Sequence, residues 1–539
     1  MKYPNWTFFI IAIIFILAFL LRVIFTTKAP PSINWDEASL GYNAYSILKT
    51  GKDEWGRSWP VTFEAFGDYK LPGYVYTLVP FVGIFGLNEF SVRLPSIISG
   101  SLAVIFLYLA VFKITSNKKW AVVSALLLAI SPWHFFLSRV AVEANLAFGF
   151  FLVGFFFLLH GLKKYYLLLP ASLFFGFSIF TYNSARIFVP IFLLAFFLLH
   201  RKQFKPNKIS LAALGILAIF LAFGFFLAVF QDSSARYFWV RILDEGAINF
   251  LEQSRNNSVL NPLFTNLIYN RATYFIYNFG LNYLKHLSVQ FLAISGGSNY
   301  QFSVQNLGLI YLAELPFLIF GFYKLLKQKT GWIFLIWFLA APVPSALTRE
   351  APHALRSIFM LGSIQAITAA GLIGLYSAIS GRKFLKNFSI ALIGFLIAFN
   401  ALHYFRIYFN VYPVEYSGAW QYGYRQTVEE VLKNYDEYPK IYFTKKYGEP
   451  HIFYLFFSAY DPGKYQNNSE LTRYARSNWR WVDRLDKIYF INDWEMRKTL
   501  ENEKNALVVS TPGNYPERAE KLETVYFLDG SKAFEIVKI

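Results

Sequence analysis

The sequence predicts an α-helical protein that crosses a membrane many times and ends in a small α/β domain. Three observations lead to this fold class. The 539 residues are 55% hydrophobic and 20% aromatic, which is typical of membrane proteins. Apolar stretches of spanning length recur up to residue 408, and after it they stop and charges become frequent. We therefore expect a membrane domain over residues 1–408 and an exterior soluble domain over residues 409–539.

Eleven stretches have the roughly 20 mostly apolar residues that a spanning helix needs. They are residues 8–26, 93–112, 120–137, 142–162, 165–181, 186–200, 209–230, 305–323, 331–348, 354–379 and 387–408. The first resembles a secretion signal, but its apolar run is long and lacks a small-x-small cleavage site, so we expect a retained anchor. Another segment, 71–87, is short and interrupted by prolines and glycines, and either spans the membrane or lies in its interface.

The distribution of charge places 71–87 in the interface. If 71–87 does not span, alternate loops hold fifteen basic residues and no acidic one. These residues are Lys113, Lys118, Lys119, Lys163, Lys164, Arg201, Lys202, Lys205, Lys208, Lys324, Lys327, Lys329, Arg382, Lys383 and Lys386. Since basic loops stay in the cytoplasm, we expect a multi-pass protein of the cell membrane, with a cytoplasmic N-terminus and an extracytoplasmic C-terminal domain. The net charge of +18 thus reflects membrane topology and not nucleic-acid binding.

The C-terminal part has the short alternating segments of an α/β domain. A short helix is predicted over Thr427 to Asn434, and strands over 440–444, 487–491 and 506–510. Residues 522–528 and 533–539 flank Asp529-Gly530, which is a hairpin signal.

Two adjacent carboxylates, Asp36 and Glu37, follow the first apolar stretch. Charges at a membrane edge are costly, so the pair is either a functional site or the start of a solvated loop. A carboxylate here suits a general base that takes a proton from an acceptor hydroxyl.

Further polar clusters fall on the same predicted exterior side. Asp68 and Lys70 lie two apart, and Lys70 either meets a lipid phosphate or extends to the headgroups. Arg139 and Glu143 have the spacing to pair on one helix face, either in a cavity or as a structural ion pair.

Two more clusters complete the set of candidate residues. Tyr182 and Arg186 lie in a turn between spans. His353 and Arg356 are expected at the start of a helix, where they suit an anionic group, most simply phosphate.

Several sites are excluded or not indicated by the sequence. There is no cysteine, which excludes disulfides and thiolate metal sites, and no nucleotide-binding motif is present. An exterior enzyme without a nucleotide site needs a donor that is already in the membrane, and a lipid-phosphate-linked substrate fits. We expect no cofactor; a divalent cation, Mg or Mn, is compatible with such a site but is not indicated.

These motifs resemble those of the membrane glycosyltransferases of the protein O-mannosyltransferase and aminoarabinose-transferase group, which are glycosyltransferase family 39-like. The shared features are Asp36-Glu37 after the first span, Lys70-Leu71-Pro72, Arg93-Leu94-Pro95-Ser96 and Ser138-Arg139 to Glu143. The resemblance implies a GT-C fold of about eleven transmembrane helices, with interfacial helices in the first exterior loop. It also implies inverting transfer of a hexose or pentose from a polyprenyl-phosphate carrier to an acceptor outside the cytoplasm.

The resemblance also implies roles for individual residues. Asp36 becomes the catalytic base with Glu37 beside it, and Lys70, Arg139, Arg186 and Arg356, together with His353, become candidates for binding the donor phosphate. We expect Asp68, Glu143 and Tyr182 to position substrate, although Glu143 stands where the family has aspartate. The C-terminal domain lacks the repeats of protein mannosyltransferases, so a protein, lipid or glycan acceptor stays open.

Two other functions remain as alternatives. A flippase or transporter of lipid-linked sugars predicts charges in the middle of spans and an internal repeat, and the sequence has neither. A ligase or polymerase predicts a lipid-diphosphate-linked glycan as donor.

Overall fold

The computed structural model describes residues 5–204, 207–230, 240–379, 383–476 and 479–539. Lys205 and Arg382 of the predicted basic loops lie outside the described residues, as do residues 231–239 of the long loop predicted after the seventh span.

Helices account for most of the chain up to residue 406. They are α1 (Asn5–Val23), α2 (Trp35–Thr50), α3 (Pro72–Phe85), α4 (Glu89–Thr115), α5 (Lys118–Ile130), α6 (Pro132–Leu137), α7 (Glu143–Gly161), α8 (Leu168–Ile179), α9 (Asn183–His200), α10 (Lys208–Phe230), α11 (Glu245–Asn256), α12 (Pro262–Ile268), α13 (Arg271–His286), α14 (Leu315–Lys327), α15 (Trp332–Ala340), α16 (Val343–Ala346), α17 (Ser363–Ala378) and α18 (Lys383–Arg406).

Six helical segments within the described ranges are long and apolar enough to cross a membrane. They are Glu89–Thr115, Glu143–Gly161, Asn183–His200, Lys208–Leu227, Ile358–Ala378 and Lys383–Glu415, and shorter apolar helices accompany them. The predicted class, a polytopic helical membrane protein with a C-terminal sheet domain, is confirmed. The predicted number of eleven spans stays a prediction.

One predicted span begins later than expected. The sequence predicts one helix over 354–379, but the chain turns until residue 357, forms a short 3-10 helix at Ile358–Met360, and only then enters α17. Gly362 precedes α17 with φ of +81°, a conformation outside any right-handed helix.

The chain divides into two compact units. The helical unit consists of residues 1–23, 96–138 and 142–404, and the mixed unit of residues 24–95, 139–141 and 405–539. The first predicted exterior loop therefore belongs to the same unit as the C-terminal domain.

Aromatic rings fill the core of the helical unit. Phe151 and Phe155 of α7 pack edge to face on Phe192 of α9 and on Trp337 of α15, with ring centroids 5.0 to 5.6 Å apart. Such contacts add about 0.5–1.5 kcal/mol per pair to the burial of the rings, so the abundant phenylalanines hold these helices together.

The mixed unit contains a seven-stranded sheet and a separate hairpin. The strands are β1 (Phe63–Ala65), β2 (Asp68–Lys70), β3 (Lys440–Thr444), β4 (Thr472–Arg476), β5 (Trp479–Leu485), β6 (Ile488–Ile491), β7 (Ala506–Ser510), β8 (Glu520–Tyr526) and β9 (Lys532–Lys538). The sheet has the order β4-β5-β6-β3-β7-β9-β8, and β1 pairs with β2 alone. Each strand predicted for the C-terminal domain is present, whereas β1, β2, β4 and β5 were not predicted.

Short helices complete the mixed unit. They are α19 (Tyr412–Glu415), α20 (Tyr424–Lys433), α21 (Pro450–Phe457), α22 (Pro462–Gln466) and α23 (Met496–Leu500). The central strand β3 is parallel to both of its neighbours, β6 and β7, and is buried along nearly its whole length, as expected for a strand covered on both faces.

Candidate active site

The first turn of α2 presents Asp36. The helix begins after Asn34, whose side-chain oxygen accepts a hydrogen bond from the Glu37 backbone N–H at 2.9 Å. The Trp35 backbone N–H donates to Gln421 Oε1 at 3.0 Å, which uses another of the free amides of this helix end. These bonds fix the backbone that carries Asp36. Its side chain is 40% exposed, so the carboxylate is open to solvent.

Glu37 has a different environment from its neighbour. Its carboxylate is buried and accepts hydrogen bonds from Arg93 Nε and Nη2, both at 2.9 Å, and from the Ala141 backbone N–H at 2.7 Å. It also closes the capping box with the Asn34 N–H at 3.3 Å. The alternative of a solvated loop start is wrong for Glu37, because these donors surround a carboxylate without contact to water.

The hairpin β1–β2 delivers Lys70 to Asp36. Lys70 Nζ lies 2.7 Å from Asp36 Oδ1 and 4.0 Å from Asp68 Oδ2, and its side chain is only 7% exposed. The alternative in which Lys70 extends to the headgroups is therefore wrong. The structure brings Asp36, Asp68 and Lys70 together, as one buried ammonium between two carboxylates.

Arg139 is buried in the mixed unit. Its Nη2 donates to the Ala29 carbonyl at 2.8 Å, its Nε donates to the Tyr408 hydroxyl at 3.1 Å, and its guanidinium lies 5.1 Å from the ring centroid of Phe409. The predicted pairing of Arg139 and Glu143 on one helix face is wrong, because α7 begins at Glu143 and Arg139 lies in the preceding turn.

The remaining predicted residues belong to the helical unit. Glu143 is partly exposed in the first turn of α7. Tyr182 is buried at the N-cap of α9, and Arg186 lies in the first turn of that helix. Within the described part of the chain, Nε and Nη2 of Arg186 are buried and have no hydrogen-bond partner.

His353 and Arg356 lie together, but not at a helix N-terminus. The Arg356 backbone N–H donates to His353 Nδ1 at 3.4 Å, and the guanidinium donates to Thr348 Oγ1 at 2.9 Å and Glu350 Oε2 at 2.7 Å. Both residues lie in a turn ahead of α17, so the expected effect of a helix end on a bound phosphate does not apply here.

Four charged residues of the mixed unit were not predicted as part of the site: Arg57, Glu64, Arg93 and Arg480. Arg93 holds Glu37, as described above. Glu64 of β1 is buried and binds two arginines, Arg57 Nη2 and Arg480 Nε, each at 2.6 Å. The sequence could have indicated Arg93, because it is an arginine in the first turn of an apolar span. It could not have indicated the contact of Arg480 with Glu64, because the two residues are more than 400 positions apart.

Glu54 is a second buried carboxyl near the end of α2. Asn43 Nδ2 donates to Glu54 Oε1 at 2.9 Å, and the Glu54 backbone N–H returns a hydrogen bond to Asn43 Oδ1 at 3.1 Å. Burial raises the pKa of Glu54 to about 8, and the hydrogen bond from Asn43 opposes this only in part. Glu54 therefore carries a proton over much of the physiological pH range.

Within the described ranges, no three His, Cys, Asp or Glu side chains are grouped so that they could hold a metal ion. The chemistry that the site offers directly is that of an exposed carboxylate beside a buried ammonium.

Comparison with known proteins agrees with this architecture. Residues 70–226 match the family model described as dolichyl-phosphate-mannose-protein mannosyltransferase. The structure is similar to that of ArnT from Cupriavidus metallidurans bound to undecaprenyl phosphate, with a TM-score of 0.56 and 11% identity over 99% of this chain and 98% of that chain. No curated protein matches the chain by sequence.

A second similar structure is the apo form of the Archaeoglobus fulgidus oligosaccharyltransferase, with a TM-score of 0.50 and 15% identity over 94% of this chain and 70% of that chain. At such low identity the structural matches establish the fold, and the family match, over residues 70–226, covers less than a third of the sequence. The predicted resemblance to GT-C membrane glycosyltransferases of the mannosyltransferase and aminoarabinose-transferase group is confirmed.

Proposed function

We propose that this chain is an inverting glycosyltransferase that moves a sugar from a polyprenyl-phosphate carrier to an acceptor hydroxyl at the exterior face of the cell membrane. The observation that carries the proposal is the pair of Asp36 and Lys70. An exposed carboxylate is held 2.7 Å from a buried ammonium, at the position after the first span where the resembling family has its acidic residue. The family match over residues 70–226 supports glycosyl transfer as the class of reaction.

The chemistry is a single displacement. Asp36 takes the proton of the acceptor hydroxyl while the oxygen attacks the anomeric carbon, and the bond from that carbon to the phosphate oxygen breaks. The electron pair leaves with the lipid phosphate, whose added negative charge a cation such as Lys70 stabilises. One displacement inverts the anomeric centre. The lipid phosphate is already a fair leaving group, so a metal is not indicated.

The neighbours of Asp36 support its assignment as the base rather than Glu37. All the hydrogen bonds around Glu37 restrain it, and Arg93 neutralises it, so Glu37 positions α2 and through it Asp36. Lys70 orients the Asp36 carboxylate before the acceptor binds. We propose the same positioning role for Arg139, because its guanidinium already donates to Ala29 and Tyr408.

For the other predicted residues we propose the roles that the resemblance implies. Arg186, His353 and Arg356 are donor-phosphate candidates, and Arg186 has the strongest support, since two of its buried nitrogens have no partner among the described residues. Asp68, Glu143 and Tyr182 remain candidates for positioning substrate.

The carrier lipid is inferred from structural similarity, and the side of the membrane from the charge of the loops. One similar structure was solved with undecaprenyl phosphate, which supports a polyprenyl-phosphate carrier for this chain. The distribution of basic loops supports an extracytoplasmic reaction with a cytoplasmic N-terminus.

The test is transfer by purified protein in detergent, with a panel of hexose and pentose polyprenyl phosphates and with products read by mass. Asp36→Asn should lower the rate about 10²–10⁴-fold, the usual contribution of a general base. Asp436→Asn is the control, because Asp436 is an exposed aspartate of the same unit and lies outside the site. Equal rates for Asp36→Asn and wild type would refute the proposal.

The same panel separates the two alternatives. A diphosphate-linked oligosaccharide as the sole productive donor identifies a ligase or polymerase. Lipid translocation in liposomes without formation of a glycosidic bond identifies a flippase.

A further inference from the structure

A row of aromatic side chains crosses the mixed unit and ends beside Asp36. We call it the aromatic strip; it consists of Trp35, Trp479, Trp481 and Tyr474. The ring centroids of Trp35 and Trp479 are 6.4 Å apart, and those of Trp479 and Trp481 are 6.2 Å apart. Tyr474 of β4 is the direct cross-strand partner of Trp481 in β5. Because alternate residues of a strand share a face, Trp479, Trp481 and Tyr474 lie on one face of the hairpin.

The strip is a surface and not a core. Tyr474 is 41% exposed, and Trp35, Trp479 and Trp481 are all partly exposed. Arg476, which is exposed, pairs with Trp479 in the register of β4 and β5, so a guanidinium borders the same face. A row of partly exposed aromatic rings that continues onto an edge hairpin is costly to leave in water, and the pattern favours a ligand.

Other contacts fix the strip next to the reactive carboxylate. Trp479 stacks on Phe66, with centroids 6.2 Å apart, and Phe66 lies in the turn of the hairpin that carries Asp68 and Lys70. The Trp479 indole N–H donates to Glu449 Oε1 at 2.5 Å. Arg480, on the opposite face of β5, binds Glu64 of β1 at 2.6 Å. The β4–β5 hairpin of the sheet is therefore joined to the β1–β2 hairpin that carries Lys70.

We propose that the aromatic strip is the acceptor subsite, and that the acceptor is a glycan chain whose terminal hydroxyl reaches Asp36. This inference rests on the proposed function and specifies the acceptor that it left open. The apolar C–H faces of successive sugar rings stack on the successive indoles, while Arg476 donates to hydroxyl, carboxylate or phosphate groups of the chain. Trp35, adjacent to Asp36 in sequence, holds the last ring.

The geometry favours a glycan over a peptide or a lipid surface. A peptide added to the edge strand β4 would bind through the backbone and would use side-chain pockets, not a row of flat rings. A membrane surface is bound by clustered basic residues around an apolar face. In the strip, aromatic rings dominate. Apart from the single Arg476, two nearby basic residues are already paired: Lys445 with Asp483, and Arg484 with Glu470 at 2.9 Å.

The experiment measures binding to the full-length protein in detergent by fluorescence quenching and calorimetry. The probes are mannotetraose, chitotetraose and a hexuronate tetrasaccharide, alongside a twelve-residue Ser/Thr-rich peptide and phosphatidylglycerol vesicles. At least one tetrasaccharide should bind, and Trp481→Ala should weaken that binding at least tenfold, whereas Trp481→Phe should retain most of it. Trp494→Ala is the matched control, because Trp494 is 80% exposed in the same unit and is not part of the strip.

Tyr474→Ala provides a second variant should Trp481→Ala fail to fold, since Tyr474 lies on an exposed edge strand. The proposal is overturned if none of the three tetrasaccharides binds, or if both strip variants bind as wild type does. It is equally overturned if the variants affect only the peptide or only the vesicles.

Two further measurements separate this inference from the proposed function. Asp36→Asn should bind the tetrasaccharide as wild type does, because it removes the base and not the strip. In the transfer assay, the strip variants should raise the KM for the acceptor and leave hydrolysis of the donor by water unchanged. Loss of transfer in Asp36→Asn with unaltered strip variants refutes the subsite alone, and the converse pattern refutes the base alone.

Discussion

Replacing Arg93 by methionine tests whether the buried ion pair with Glu37 holds the site together. The guanidinium is fully buried and donates to both oxygens of Glu37 at 2.9 Å, and to the carbonyls of Thr26 at 2.6 Å and Ser32 at 2.5 Å. Methionine fills much of the volume but leaves a carboxylate buried without its cation. Breaking a buried pair from one side costs about 3–5 kcal/mol, which is about two to four powers of ten in the folding equilibrium.

The assay is unfolding by guanidinium in detergent, followed by tryptophan fluorescence. Arg57→Met is the control: Arg57 is 45% exposed, and its partner Glu64 keeps Arg480, so the cost should stay below about 1 kcal/mol. Combining Arg93→Met with Glu37→Gln should recover most of the loss, because the stranded charge is then gone. The reasoning fails if Arg93→Met costs no more than Arg57→Met, or if Glu37→Gln brings no recovery.

Two further predictions concern the mixed unit. Burial raises the pKa of Glu54 from its ordinary 4.5 to about 8, so the folded state binds an extra proton between these values and loses stability as the pH rises through this window, by about 1.4 kcal/mol per unit. Glu54→Gln, which keeps the hydrogen bond from Asn43, should flatten the pH profile of the unfolding midpoint, and an unchanged slope would show that Glu54 is not its source. Gly448→Ala should lower activity and stability, because Gly448 has φ of +118° and a methyl group there overlaps the Trp35 indole and the Gln421 amide. Gly513→Ala has a positive φ of +71° but open space, so it should show the backbone cost of about 1 kcal/mol alone; equal effects of the two variants would contradict the steric argument.

Local patterns predicted much of the fold. Apolar stretches of spanning length gave the helices, and alternation gave β3, β6, β7 and the β8–β9 hairpin. The strands β4 and β5 were missed because their sequence is rich in arginine and tryptophan and has no clean alternation. The boundary at residue 408, the number of spans and the sidedness of the loops stay predictions.

The candidate site was also predicted only in part. Asp36 and Lys70 were predicted as separate motifs, 34 residues apart, and the β1–β2 hairpin that joins them has too few residues to be recognised in sequence. The predicted pairing of Arg139 with Glu143 and the predicted helix start at His353 were wrong, because both depended on where a helix begins. Turns in the chain place these two helix starts later, at Glu143 and at Ser363.

The sequence by itself determined that this protein is a polytopic membrane protein, since hydropathy and charge act through composition over short windows and need no partner. It also identified the acidic pair after the first span as the candidate site of the chemistry. Only the tertiary structure showed that the two acids have different environments. Adjacent residues of a helix point in different directions, so Glu37 meets Arg93 in the interior and becomes a restraint, while Asp36 meets Lys70 and remains open to solvent.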